Sequence, residues 1–76
     1  PCKVLSLTVD YGLYGKVAYI LPQYNIKTLD EAFTDAVTLT LLIRADRAER
    51  FAAEIREMSA GKAEPEVVEE RFCEME

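Results

Sequence analysis

"KVLSLTVDYGLYGKVAYILP", Lys3 to Pro22, decides how the rest of the chain is read. From Lys3 to Val9 the residues alternate. Leu5, Leu7 and Val9 share one side, and Val4, Ser6 and Thr8 share the other. A period of two marks a strand with one buried face. At Asp10 the period changes. Leu13, Val17, Ile20 and Leu21 fall on one face of a helix expected over residues 11–21, because apolar residues at this spacing line up on a 3.6-residue repeat. The Asp10 carboxylate suits its N-cap, and Pro22 cannot continue it.

The stretch also spells G-x-x-G, at Gly12-Leu13-Tyr14-Gly15, followed by Lys16. KH domains clamp a nucleic-acid backbone with such a loop. That loop lies between two helices, whereas here a strand leads straight in. The favoured reading is structural: the glycines let the helix start approach the sheet, or a partner, closely. Each costs about 1 kcal/mol relative to alanine inside a helix, so a packing reason is expected.

Outward from this stretch, residues 24–33 read as a second strand and Thr34-Asp35 as a polar break. Residues 36–43 alternate again, with Val37, Leu39, Leu41 and Ile43 inward and Thr38 and Thr40 outward. The two strands and their break read as a hairpin. Residues 46–58 are predicted as a helix, with Asp46 and Glu49 as a capping box. Ala48, Phe51, Ala52, Ile55 and Met58 form its buried stripe. Asp46–Arg50 and Arg50–Glu54 are spaced for i,i+4 pairing, and Gly61 suits a left-handed stop. Residues 67–75 read as a last, Glu-rich edge strand, where charge discourages aggregation.

The order is strand, helix, strand, strand, helix, strand. With right-handed crossovers it predicts an α+β, ferredoxin-like βαββαβ sandwich. The expected sheet is four-stranded and antiparallel, in the order 4-1-3-2, with both helices on one face. The 76 residues allow one small domain. The chain begins with Pro1, so a processed product, or a C-terminal domain cut from a longer protein, is expected.

Composition narrows the function. Half the residues are hydrophobic and 30% are charged, the balance of a soluble globular domain. No apolar run is long enough to span a membrane, and no secretory pattern opens the chain. There is no histidine, which removes the usual general base and the commonest metal ligand. No catalytic residue, metal site or cofactor site is expected. Cys2 and Cys73 fall near one end of strands predicted to be adjacent and antiparallel, so a disulfide is geometrically conceivable; two reduced thiols are the expectation for a cytosolic protein. The net charge of −5 does not favour nucleic acid in bulk. Residues 63–76 hold six acids and one base, so the preceding residues sum to zero.

Together, "LTVDYGLYGKVAYIL", "DEAFTDAVTLTLLI" and "FAAEIREMSAG" resemble the C-terminal domain of the bacterial YigZ/IMPACT family. The positions that carry the resemblance are Tyr11, Lys16, Phe33, Val37, Leu39, Leu41 and Gly61. Phe33 stands where Tyr is more usual. The resemblance implies a module like the C-terminal domain of elongation factor G. It also implies an N-terminal domain in the same protein, a cytoplasmic setting, and a role near RNA, the ribosome or translational control. It supplies no catalytic residues.

The predicted topology gathers Lys3, Arg44 and Arg47 at one end, with Lys27 not far off. They form a candidate anion, RNA or interdomain contact. The alternative is that they merely face Glu74 and Glu76 across the surface. The open sheet face would show Val4, Ser6, Thr8, Thr38, Thr40 and Leu42. It lacks the aromatics on which RNA-recognition modules stack bases, and suits another domain or a homo-oligomeric contact instead. The leading expectation is therefore a non-catalytic binding module. An ACT-like regulatory domain that binds a small ligand or dimerises is the alternative. An acylphosphatase-like hydrolase is weakest, because "DYGLYG" lacks the arginine its anion loop needs.

Overall fold

Strand β1 (Cys2–Val9) runs antiparallel to β3 (Val37–Arg44), with Leu5 opposite Leu41 and Leu7 opposite Leu39. Residues directly opposite share a face, so the alternation of both strands builds one continuous apolar surface. Strand β2 (Lys27–Phe33) lies beside β3 and β4 (Glu66–Arg71) beside β1. In this computed structural model, which describes residues 1–72, the sheet order is β2-β3-β1-β4. That is the expected 4-1-3-2 order counted from the other edge. With helices α1 (Tyr11–Ile20) and α2 (Ala45–Met58), the fold is the expected ferredoxin-like sandwich.

The core lies between sheet and helices. Leu5, Leu7, Val9, Val37, Leu39, Leu41 and Ile43 meet Val17, Ile20, Ala48, Phe51 and Ile55, all buried. Phe51 is fully buried, and its ring meets that of Tyr24 edge-on at 5.5 Å. Both edge strands are exposed along their whole length. Each carries a register shift, at Leu29 and at Val68. Such bulges twist an edge away from flat pairing with another chain.

Four local expectations need correction. Pro22 does stop α1, yet the chain stays coiled: Leu21–Tyr24 form a 3-10 turn with the proline at its start. Asn25 follows in the left-handed region at φ 55°, so β2 begins at Lys27 and Tyr24 is not on it. The capping box at Asp46 is absent. Helix α2 starts directly where β3 ends, its N-cap is Arg44, and no side chain caps it. The Ala45 amide instead donates to the Pro1 carbonyl at 3.1 Å. Asp46, inside the first turn, pairs with Arg44 at 3.4 Å. Neither expected i,i+4 pair of Arg50 is among the ion pairs of the described residues. The fourth correction concerns thiols. No free cysteine occurs among the described residues, so Cys2 is not the reduced thiol expected; Cys73 lies outside them, as do Glu74 and Glu76.

The end of α2 is tightly tied. Ser59, buried, accepts from the Ala63 amide at 3.0 Å, and its hydroxyl lies 2.8 Å from the Ile55 carbonyl that it donates to. Gly61 adopts the left-handed conformation expected of it, φ 82°, and donates to the Arg56 carbonyl at 2.8 Å. Ala60 is also left-handed, at φ 56°, which its sequence context does not announce.

Candidate functional site

The G-x-x-G segment opens α1. Asp10 Oδ1 accepts from the Leu13 amide at 2.7 Å, so the charge that a phosphate would bring is already supplied by the cap. A Cβ at Gly12 would meet only Asp10 Oδ1, at 3.4 Å, and one at Gly15 would meet nothing within 4 Å. The expected packing reason is thus absent on this domain's own sheet: neither glycine allows a close approach to it.

Tyr11 and Tyr14 hold this helix to the hairpin. Tyr11 donates its hydroxyl to the Thr34 carbonyl. Tyr14 donates to Glu31 Oε2 at 3.2 Å and meets the Phe33 ring edge-on at 5.7 Å. The bond to Glu31 raises the Tyr14 pKa above its ordinary value, with desolvation and the Glu31 charge adding to it. Phe33 therefore contributes a ring contact, and no hydroxyl is needed at that place.

The four candidate basic residues sit at one end of the sheet but face different ways. Lys3 lies on the helix side, in a cleft of about 330 Å³ between α2 and β4, with Ala48, Glu49 and Val67. Lys27 is opposite Leu42, and Leu42 packs with Cys2 and Val4 on the other face of the sheet. Arg44 is held by Asp46. Arg47 lines a pocket of about 310 Å³ with Gln23, Tyr24 and Arg50. So the four do not make one surface.

Arg50, read from the sequence only as an ion-pairing residue, was not among the candidate site residues yet lines this pocket. Its companionship with Arg47 was visible as an i,i+3 pair on a predicted helix. The rest of the pocket depends on the 3-10 turn that brings Gln23 and Tyr24 beside α2, a contact between distant segments. Tyr24 donates its hydroxyl to Glu54 Oε1 at 2.5 Å. That bond is the main cause of a raised Tyr24 pKa, followed by desolvation and the Glu54 charge, while Arg50 acts to lower it.

The open sheet face differs from expectation in one respect. Val4 and Leu42 are buried, at 3% and 7% exposure, in a small cluster with Cys2. Further along the same face, Thr8 and Thr38 share a hydroxyl hydrogen bond at 3.2 Å. A groove of about 530 Å³ runs between the helices, lined by Gly15, Lys16, Tyr19, Ile20, Glu54 and Met58 among others. Among the described residues, no three His, Cys, Asp or Glu side chains are grouped as a metal site would need. No helix among them is long and apolar enough to cross a membrane.

A solved structure described as "Crystal structure of an hypothetical protein" matches this fold with a TM-score of 0.82 at 21% sequence identity. The match covers 93% of this chain and 34% of that one, so this chain spans about a third of that protein's length. At this identity the likeness speaks for the fold alone. No curated protein matches the chain. Residues 7–62 match the family model described as "Domain of unknown function (DUF1949)". With most of its length covered by that match, from the second half of β1 to the turn after α2, the chain belongs to the DUF1949 family.

Proposed function

We propose that this domain is a non-catalytic binding module of a YigZ/IMPACT-type protein. In this reading it acts beside an N-terminal domain of the same cytoplasmic protein, close to RNA or the translation machinery. The observation that carries the reading is the family match over residues 7–62. The resembling positions supply context: Tyr11 and Phe33 fasten α1 to the hairpin, and Gly61 closes α2. Lys3, Lys27, Arg44 and Arg47 share one end of the sheet but not one surface, so in this reading each is a separate electrostatic contact rather than part of one patch. The test is RNA binding by the full-length protein across a salt series. Binding that weakens with salt, and is lost on charge reversal of Lys3, Lys27, Arg44 and Arg47, supports the reading. Unchanged binding after reversal removes these residues from it.

A second reading, an ACT-like regulatory domain, draws on the groove between the helices. Its size suits a small ligand, and Tyr19, Ile20 and Met58 give it apolar walls. A thermal-shift screen with amino acids and nucleotides separates the two. Stabilisation by one such compound without any RNA binding favours the second.

A further inference from the structure

Arginines stand at positions 44, 47 and 50, every third residue into α2. Like charges three or four apart on a helix repel, and a helix usually offsets this with acids one turn away. Arg44 has Asp46, at 3.4 Å. Arg47 has no acidic residue three or four positions away on either side. Arg50 has two, Asp46 and Glu54. Both are occupied elsewhere: Asp46 by Arg44, and Glu54 by the hydroxyl of Tyr24 at 2.5 Å. Among the described residues, neither Arg47 nor Arg50 takes part in an ion pair.

These two guanidinium groups are also not simply spread over a convex surface. They line one pocket of about 310 Å³ with Gln23 and Tyr24. No carboxylate is among its lining residues. The Gln23 amide nitrogen makes only a long contact, 3.5 Å, to the Tyr19 carbonyl, so it retains donor capacity. Two positively charged planar forks and a neutral amide donor surround a concave space whose lining carries no negative charge. That is the chemistry that takes a tetrahedral oxyanion through charge-assisted, bidentate hydrogen bonds.

We propose that the pocket formed by Gln23, Tyr24, Arg47 and Arg50 is a binding subsite for a phosphate group. Arg47 and Arg50 hold the phosphate oxygens, and Gln23 contributes a third donor. Tyr24 keeps Glu54 away from Arg50, so that the site stays cationic. The phosphate comes either from a small phosphorylated molecule or from a nucleic-acid backbone. The subsite does not rest on the RNA reading: only Arg47 is common to both, and a free phosphate compound fills it with or without RNA.

The experiment is an amide NMR titration of the chain with inorganic pyrophosphate, against sodium chloride at matched ionic strength. Saturable shifts are expected at Gln23, Tyr24, Arg47 and Arg50, including the Gln23 side-chain amide. The Arg47→Glu/Arg50→Glu double variant should weaken binding by at least about tenfold, the scale of losing charge-assisted contacts. The double lysine variant, Arg47→Lys/Arg50→Lys, keeps the charge without the fork and should fall between. Lys62→Glu, in the turn after α2 and outside the pocket lining, should bind like the parent chain. The same spectra report whether each variant is folded. A short single-stranded RNA then identifies the source. If it displaces pyrophosphate at these residues, the phosphate is a backbone phosphate. If it does not while pyrophosphate still saturates, the ligand is a small phosphorylated molecule and the subsite stands; the RNA reading is decided by the salt series on the full-length protein. Shifts that do not saturate, that chloride reproduces, or that persist in the glutamate double variant overturn the proposal.

Discussion

Tyr24 and Glu54, thirty residues apart, are joined by a 2.5 Å hydrogen bond from the phenol to the carboxylate. The bond ties the 3-10 turn to the middle of α2. It also takes away from Arg50 the acid one helical turn further on.

Tyr24→Phe tests both consequences. The ring still packs on Phe51, so the core is kept. Loss of a partly exposed hydrogen bond should cost about 0.5–1 kcal/mol in a urea melt, solvent screening keeping it small. Glu54, released, is then free to pair with Arg50. Pyrophosphate binding by the variant should therefore weaken, although the hydroxyl itself is not counted as a phosphate ligand. An unchanged melt and unchanged binding would sink both claims.

Two of the four tyrosines are expected to ionise late. The Tyr14 and Tyr24 pKa values are raised above 10.0, chiefly by their hydrogen bonds to Glu31 and Glu54. The folded chain thus holds these protons more tightly than the unfolded chain does. Their contribution to stability is complete below the unfolded value and is lost as pH rises through the folded values. A phenolate absorbance titration should resolve a component above pH 10.0. Tyr14→Phe and Tyr24→Phe should each remove part of that component. A profile unaffected by either substitution would contradict the assignment.

Gly15→Ala should stabilise the domain. A Cβ there meets nothing, and alanine in a helix is better than glycine by about 1 kcal/mol. A rise in the urea midpoint without change in slope is the expected result. A fall would mean that the position is crowded in a way the isolated chain does not show.

Ala60→Gly should stabilise as well, by about 0.5–1 kcal/mol. Ala60 sits at φ 56°, where a side chain clashes with its own backbone and glycine does not. The reverse substitution at the next position, Gly61→Ala, should cost about 1 kcal/mol or more, because φ 82° is the less tolerant of the two. Thermal melts of the pair should move in opposite directions.

The sheet was legible because β1 and β3 repeat every second residue without interruption. The 3.6-residue stripes of the helices were equally plain, and Ala48, Phe51 and Ile55 are buried as that stripe requires. Misreadings cluster where one element runs into the next with no loop between. Pro22 signals the end of an α-helix but is equally good at starting a 3-10 turn, and local sequence does not choose between them. Asp46 carries a capping-box spelling, yet the first helical amide found a backbone carbonyl from the far end of the chain. The candidate basic residues were placed at the correct end of the sheet by topology. Which way each one faces was harder to read. Lys27 and Lys3 lie on opposite faces because strand register decides it. Arg50 was legible only as an i,i+4 pairing residue, because its pocket is made by a turn that sequence periodicity does not mark.

The Pro1 carbonyl that receives the Ala45 amide has a geometric result. It pins the first residue of this sequence against the first turn of α2. Any polypeptide joined ahead of Pro1, natural or attached by design, leaves the domain from that fixed gate rather than from a swinging arm.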